Sequence, residues 1–332
     1  MTRVGATMGR SYLIFFAAAS LSAGQGLLSG PSVGFLFDPQ AQAIRNIQGI
    51  PGSAVAGESL TLGFPVANAV FSPAQDYALA AGADGSVNLI VFGGPTVTTQ
   101  IVTALPSAPD HIVVSPAGHA AAFAYGTSVK VLTGLPGSLD QLADIDMSAL
   151  PSAPLALAVS DDGAVLLVSI SGDPQGSSPG GVFAFNRGES APRFIAGQTA
   201  SDVNFIGNSH DALIADESAN SITDLQDAGG ASTIQWIFVD DRLPAPSVGR
   251  VSMDGQRILV GSAKNGIIAL LNLDGSNPVF IPCTCSPNQM SPLSGLVYQL
   301  TDPSGGLIWI MDLTQDPRIL FVPIPPVAGD SQ

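Results

Sequence analysis

The sequence has few basic residues: 11 lysines and arginines stand against 26 aspartates and glutamates, a formal net charge of −15 over 332 residues. The two lysines, Lys130 and Lys264, lie far apart, and no arginine cluster replaces them. Proteins that bind phosphate backbones or anionic membrane surfaces need clustered positive charge. We therefore exclude nucleic acid and anionic membranes as partners. The acidic surface is interpreted as an aid to solubility, with a site for cations or basic partners as the alternative.

Long apolar runs are also scarce, and the main one lies near the start of the chain. The ten residues Tyr12–Leu21 follow Arg3 and Arg10 and precede the small residues 22–24. This order is typical of a secretory signal, which we assign to residues 1–24, and ten residues are too few for a membrane span. Cleavage would leave 9 basic and 26 acidic groups, or −17. We expect a secreted or periplasmic protein without a membrane span; an uncleaved anchor is the alternative.

Cysteine and histidine are rare. Cys283 and Cys285 form the one cysteine pair, between prolines that favour a loop. In an oxidising compartment they could close a local disulfide; free thiols and a soft-metal site remain as alternatives. His111, His119 and His210 lie on separate segments, whereas zinc needs three or four converging ligands. We interpret these histidines as turn residues and expect no metal and no cofactor.

Glycine and proline, in contrast, are abundant, with 37 and 26 residues spread between short apolar runs. Five times an apolar run enters a serine- or glycine-led turn and a second apolar run follows. The steps between turns are 43, 45, 47 and 45 residues, and no helical pattern lies inside them. A period of this size indicates an all-β fold, a β-propeller built from successive blades. The turns begin at Ser72, Ser115, Ser160, Gly207 and Ser252.

The first repeat shows what each blade should contain. Its apolar runs are Asn68–Phe71, Tyr77–Ala81, Val87–Phe92 and Thr99–Ala104, which we read as four antiparallel strands, a to d. The runs are almost continuously apolar, as expected for strands that pack on both faces against neighbouring blades.

Six such repeats can be traced, and two further strands precede them. These strands, Val33–Phe37 and Ala43–Ile47, resemble a c–d pair. We therefore favour seven blades with one incomplete over six blades with an extra hairpin. The predicted organisation is a short linker over residues 25–32, a single propeller over residues 33–325 and a C-terminal tail over residues 326–332.

Two of the turns resemble those of a known class of repeats. Ser252–Arg257 and Ser160–Gly163 are similar to the Ser-Pro-Asp-Gly-Arg turn of bacterial WD40-like, YVTN-type and lactonase-type propellers. The resemblance implies the architecture and says little about activity. Trp236 and Trp309 lack the following aspartate of WD40 blades, so we expect them to pack between blades.

Three pairs of aspartates are candidates for acid–base sites: Asp161 with Asp162, Asp240 with Asp241, and Asp144 with Asp146. General acid–base work needs carboxylates that converge across a cleft, whereas aspartates in turns more often accept backbone N–H groups. No Gly-x-Ser-x-Gly elbow, His-Glu-x-x-His helix or phosphate loop is present. We therefore predict no catalytic residue.

In this layout the b–c turns and d–a loops share one face of the disc, which is our candidate binding face. We expect a non-catalytic binding or scaffold module, a monomer whose partner is an unidentified protein or small molecule. The alternatives are a lactonase-type or related metal-dependent hydrolase and a structural surface protein. The residues assigned to the face are Asp84, Tyr125, Glu217, Asn220, Asp240, Asp241, Arg242, Lys264 and Asn265.

Overall fold

A computed structural model describes residues 30–92, 96–172, 180–189, 191–196, 199–301 and 308–325. These residues form 27 strands in seven antiparallel sheets, and they contain no helix. None of them therefore forms a helix long and apolar enough to cross a bilayer. The fold is a seven-bladed β-propeller, which confirms the predicted fold class and the preference for seven blades over six. The predicted signal sequence and C-terminal tail lie outside the described residues.

Each blade is one continuous stretch of chain. Blade 1 has three strands among the described residues, and the other six blades have four. The strands of blades 1 to 3 are β1 Ser32–Asp38, β2 Ala43–Gln48, β3 Val55–Ser59, β4 Val66–Phe71, β5 Tyr77–Gly82, β6 Val87–Val91, β7 Thr98–Ile101, β8 His111–Val114, β9 Ala120–Tyr125, β10 Ser128–Thr133 and β11 Asp140–Asp146.

Blades 4 to 7 continue the same order. Their strands are β12 Pro154–Val159, β13 Val165–Ile170, β14 Gly181–Asn186, β15 Arg193–Ala196, β16 Asp202–Phe205, β17 Ala212–Asp216, β18 Ser221–Gln226, β19 Thr233–Val239, β20 Val248–Val251, β21 Arg257–Ser262, β22 Ile267–Asn272, β23 Val279–Pro282, β24 Ser291–Pro292, β25 Val297–Gln299, β26 Ile308–Asp312 and β27 Arg318–Val322.

The second strand of a blade shows why both faces are apolar. Successive side chains of a strand point to opposite faces of the sheet. In β5, Tyr77 and Leu79 pack against blade 3, while Ala78 and Ala80 pack against blade 1. One run of apolar residues therefore contributes to two interfaces.

Seven hydrophobic clusters hold the described ring together, and each is shared by two adjacent blades. The cluster between the last and first blades includes Leu36 and Ile47 of blade 1 and Leu293 and Ile310 of blade 7. Burial of apolar side chains contributes about 25 cal/mol per Å². The ring is therefore closed by the same interaction that joins its other blades.

Polar contacts also cross the junction between the first and last blades. Gln75, in the turn after β4, accepts a hydrogen bond from the Phe35 N–H (2.7 Å) and donates one to the Pro292 carbonyl (2.8 Å). A single side chain of blade 2 thus links blades 1 and 7. Gly34 allows this approach: its φ is +142°, and a Cβ there would lie 3.1 Å from Gln75 Oε1. On the outer side, the Ala56 N–H donates to the Pro323 carbonyl at 3.0 Å.

The serine-led turns have a common hydrogen-bond pattern that explains the repeat. In the turn at Ser252, the buried hydroxyl accepts from the N–H groups of Gln256 (3.3 Å) and Arg257 (2.9 Å) and donates to Asp254 (2.6 Å). The turns at Ser72, Ser115 and Ser160 repeat the bonds to backbone N–H groups. The serine hydroxyl thus satisfies the backbone of the tight turn from inside.

Three details of the predicted layout were wrong. The turn of blade 5 begins at Ile206 rather than Gly207, because the Ile206 N–H donates to the Asp211 carbonyl as the Ser72 N–H does to the Tyr77 carbonyl. The leading strands are not a c–d pair: β1 lies on the ring axis and β2 beside it. The layout also omitted β3, β11, β18 and the two-residue β24, which belong to blades 1, 3, 5 and 7.

Candidate functional site

The first strands of the blades, which we call the inner strands, surround a cavity of about 420 Å³ on the ring axis. All seven contribute residues to its wall. Blades 1 to 4 supply a mainly apolar wall that includes Phe35, Phe37, Phe71, Ile112 and Leu157. Most of the polar side chains come from blades 5 to 7, so the cavity has an apolar side and a polar side.

Asp202 and Asn204 of β16 form the centre of the polar side. Asp202 Oδ2 accepts hydrogen bonds from the Asn204 side-chain amide (2.7 Å) and from the Gly249 N–H of β20 (3.1 Å). The same Asn204 amide donates to the Gly249 carbonyl at 3.0 Å. These bonds join the inner strands of blades 5 and 6 and fix the Asp202 carboxyl in place.

Arg250 of β20 lies next to this network and lines the cavity. No oxygen of Asp202 comes within 4.0 Å of a guanidinium nitrogen, so the two charges attract without forming an ion pair. Burial lowers the pKa of Arg250, and the nearby Asp202 charge opposes that shift. Burial likewise raises the pKa of Asp202, against the opposing effects of Arg250 and of the hydrogen bonds it accepts. The polar side therefore holds one cation and one carboxyl, both of them partly buried.

Two glutamines of blade 7 extend the polar side. The side-chain amides of Gln289 and Gln299 both donate to the Thr301 carbonyl at 2.9 Å. This shared acceptor fixes the orientation of both side chains at the wall. Asn68 of β4 adds an amide on the otherwise apolar side.

The residues of the candidate binding face lie on turns and loops at one end of the blades. None of the nine lines the cavity. Four of them come together around the loop after β19: Arg242 pairs with Asp240 (2.7 Å), Asn265 donates to the Arg242 carbonyl (3.1 Å), and Asn220 accepts from the Ala245 N–H (2.8 Å). Arg242 also lies over the Phe280 ring at 4.0 Å.

The other members of this face are not joined to that group by any hydrogen bond or ion pair among the described residues. Asp84 accepts from Ser86, which lowers the pKa of the Asp84 carboxyl. The Tyr125 hydroxyl donates to the Ser107 carbonyl at 3.1 Å, and burial raises its pKa to about 12. Glu217, Asp241 and Lys264 are exposed. Binding at this face stays a prediction.

At the opposite end of the blades, the turns of blades 3, 4 and 5 form an open depression of about 490 Å³. Asp161 accepts from the Ala117 N–H (2.6 Å) of one neighbouring turn and from the Asn208 N–H (2.7 Å) of the other. Asp162 accepts from the Ala164 N–H at 3.0 Å and contacts His210 Nε2 at 3.1 Å. As predicted, both aspartates cap backbone amides.

The aspartates of another candidate pair, Asp144 and Asp146, also have partners within the protein. Asp144 pairs with Lys130 at 2.6 Å, and Asp146 accepts from the Ser148 N–H at 2.8 Å. The structure joins Cys283 and Cys285 in a disulfide, with their Cα atoms 5.0 Å apart. No three histidine, cysteine, aspartate or glutamate side chains within the described ranges are grouped so that they could hold a metal.

Asp202 and Arg250 were missed from the sequence, although a signal for Arg250 was present. In the five repeats with aligned turns, the residue two positions before the turn faces the cavity: Val70, Val113, Ala158, Asn204 and Arg250. Three of these positions are apolar, so the arginine departs from the pattern.

Comparison with known proteins shows the fold and no more. No family model and no curated protein matches the chain. Among solved structures, a functionally unknown protein from Desulfotomaculum acetoxidans is 14% identical with a TM-score of 0.57, over 88% of this chain and all of that one. A Bacteroides fragilis protein described as a "putative 6-phosphogluconolactonase" is 14% identical with a TM-score of 0.58, over 89% and 95% of the two chains.

A third similar structure is the hydrazine synthase of Kuenenia stuttgartiensis, 13% identical with a TM-score of 0.52, over 92% of this chain and all of that one. The three names describe different proteins on one fold, and a fold hosts many functions. The function of this chain has to be argued from its own residues.

Proposed function

We propose that the protein is an exported, non-catalytic binding module that takes up a small molecule in its axial cavity. The observation that carries the proposal is the cavity itself, about 420 Å³ with an apolar side and a polar side. Sites for small molecules are concave, have volumes of about 300 to 1,000 Å³, and combine apolar walls with a few polar groups that orient the ligand. This cavity fits that description.

Two features support binding over metal-dependent hydrolysis. The described wall offers one carboxyl, Asp202, and its Oδ2 already accepts from Gly249 and Asn204. A divalent ion such as Ca²⁺ takes six to eight oxygen ligands, and Mg²⁺ requires six in octahedral geometry. Arg250, the other charge on that wall, would repel a bound cation. The lactonase-type alternative therefore has less support in the cavity.

Export is supported by the sequence and by the cysteine pair. The basic, apolar and small-residue segments of residues 1–24 have the order of a secretory signal. The disulfide between Cys283 and Cys285 is of a kind that persists in oxidising compartments. A monomeric state stays a prediction, which analytical ultracentrifugation of the exported protein would test.

The proposal can be tested by screening the purified full chain against a small-molecule library with a thermal-shift readout. A ligand should raise the melting temperature and be recovered chemically unchanged. Asn68→Trp, at an exposed position on the cavity wall, should abolish the shift by filling the cavity. A second variant, in which Asp241 and Lys264 are both replaced by alanine, tests the candidate binding face instead.

Comparison of the two variants locates the binding site. Loss of binding in the Asp241/Lys264 variant alone would move the site to the loop face. Conversion of the ligand by protein that retains a stoichiometric divalent ion would favour the hydrolase instead.

A further inference from the structure

Arg250 occupies a costly position. It is the one cation on the described wall of the cavity, at a repeat position that carries Val70, Val113 and Ala158 in other blades. Placing a charge in a poorly solvated site is unfavourable unless it is paired and hydrogen-bonded. Because blades 2 to 4 carry apolar residues at this position, the repeat itself does not require an arginine here.

The guanidinium of Arg250 lacks the partners that a structural arginine would have. Its Nε is buried without a hydrogen-bond partner, and no described residue accepts a hydrogen bond from the rest of the group. Arg45, the buried arginine of blade 1, shows the contrast: its Nε donates to Asp38 at 2.7 Å and its Nη1 to the Gly57 carbonyl at 3.0 Å. Arg45 is paired within the protein, whereas Arg250 lines the cavity and its N–H groups have no hydrogen-bond acceptor among the described residues.

The nearest carboxyl does not fill this role. Asp202 accepts from Gly249 and Asn204 through one oxygen, and neither of its carboxyl oxygens lies within 4.0 Å of a guanidinium nitrogen of Arg250. Across the cavity, blades 1 to 4 line the wall mostly with apolar residues, among them Phe35, Phe37 and Phe71, and blade 2 adds the polar Asn68 and Gln75. A molecule that reached Arg250 from the cavity would therefore place its remaining atoms against an apolar surface.

We propose that the cavity binds a small organic monocarboxylate, with its carboxylate on Arg250 and its apolar body against the aromatic side. This deepens the proposed function and rests on it. The planar fork of a guanidinium matches the two oxygens of a carboxylate, which forms short, charge-assisted hydrogen bonds. A single arginine suits one negative charge, and the formal charge of −15 on the protein disfavours anions of higher charge.

The test uses isothermal titration calorimetry of the full chain at pH 8 with three probes of similar shape. These are 3-phenylpropanoate, its neutral amide, and phenyl phosphate; inorganic phosphate is the fourth probe. We expect the carboxylate to bind and the amide to bind about 10- to 100-fold more weakly, the range for hydrogen bonds to a charged group. Phenyl phosphate should bind more weakly than the carboxylate.

Variants assign the effect to Arg250. Arg250→Leu should weaken binding of 3-phenylpropanoate by about 10- to 100-fold and leave binding of the amide unchanged. Arg257→Leu is the matched control, because Arg257 is exposed and bonds to Asn272 outside the cavity. Asp202→Asn should instead tighten carboxylate binding by about 3- to 10-fold, since it removes a neighbouring negative charge. Misfolding cannot produce such a gain.

The outcomes separate this inference from the proposed function. If the amide binds as tightly as the carboxylate and Asn68→Trp abolishes both, the carboxylate assignment fails and the binding module stands. Tighter binding of phenyl phosphate or inorganic phosphate would replace the carboxylate by a phosphate group. If no probe and no library compound binds, both proposals fall.

Discussion

Two residues of one short stretch, Arg250 and Ser252, have opposite surroundings. The Ser252 hydroxyl lies in a turn, accepts two backbone N–H groups and donates to Asp254. The Arg250 guanidinium lies two residues earlier on the cavity wall, and no described residue accepts a hydrogen bond from it. The hydrogen bonds of the turn are made within the turn itself and recur in other blades. The hydrogen-bond donors of the Arg250 guanidinium have no such partner, and the corresponding position in blades 2 to 4 is apolar. The serine hydroxyl stabilises the fold through partners inside the protein, whereas the Arg250 guanidinium on the cavity wall has none among the described residues.

The largest expected loss of stability comes from removing one partner of a buried ion pair in a turn. In blade 1 the turn residue is Asp38, whose carboxylate accepts from two backbone N–H groups and pairs with buried Arg45 at 2.7 Å. Arg45→Met leaves this carboxylate buried without its cation, and we expect a loss of about 3 to 5 kcal/mol in the free energy of unfolding. Equilibrium urea unfolding measures it.

The control is Lys130→Met, because Lys130 pairs with the exposed Asp144. A surface pair of this kind contributes about 0 to 1 kcal/mol. Equal losses in the two variants would contradict the view that the Asp38 turn depends on its internal partner.

A smaller loss is expected at the serine turn itself. Ser252→Ala removes the acceptor for the N–H groups of Gln256 and Arg257 and should cost about 1 to 3 kcal/mol in the same unfolding assay. Ser53→Ala, at an exposed loop position, should change stability by less than about 0.5 kcal/mol. A neutral Ser252→Ala would show that the recurring hydroxyl does not stabilise the turn.

The smallest effect should appear as a pH dependence at the cavity. Burial raises the pKa of Asp202 above the ordinary 3.8, and Arg250, Gly249 and Asn204 offset part of that shift. Between 3.8 and the higher folded value, the folded state binds more protons than the unfolded state. The free energy of unfolding should therefore fall as pH rises through this window, and Asp202→Asn should remove that component.

Urea unfolding of both proteins at several pH values from 4 to 8 measures the difference. The wild type should lose stability relative to Asp202→Asn with rising pH. A constant difference over that range would place the carboxyl in a well-solvated site and weaken the contrast between cavity and turn.

The architecture could be predicted because its signals are local. The turns at Ser72, Ser115, Ser160 and Ser252 fix the period, and the alternating side chains of strands such as β5 fill two interfaces at once. The order of the first blade was missed because its turn carries Asp38 in place of serine. Strand β18 was missed because Thr223 and Asp224 interrupt its apolar pattern.

The cavity residues could not be predicted in the same way. The neighbours that give Asp202 and Arg250 their surroundings belong to different blades, so their proximity depends on the register of the ring. The turn of blade 5 hides that register, because Ile206 replaces the serine that marks it elsewhere. The loop face was proposed from exposed polar residues, which occur on any soluble protein and carry less information than a charge among apolar positions.

Gln75 gives the ring a reporter of its own closure. The Phe35 N–H lies on the free edge of β1 and has its acceptor in the Gln75 side chain, which is bound at its other end to the last blade. We expect exchange of the Phe35 amide proton with solvent to depend on Gln75 staying in place between blades 1 and 7. The exchange rate of this one proton thus reports whether the contact between the first and last blades is intact.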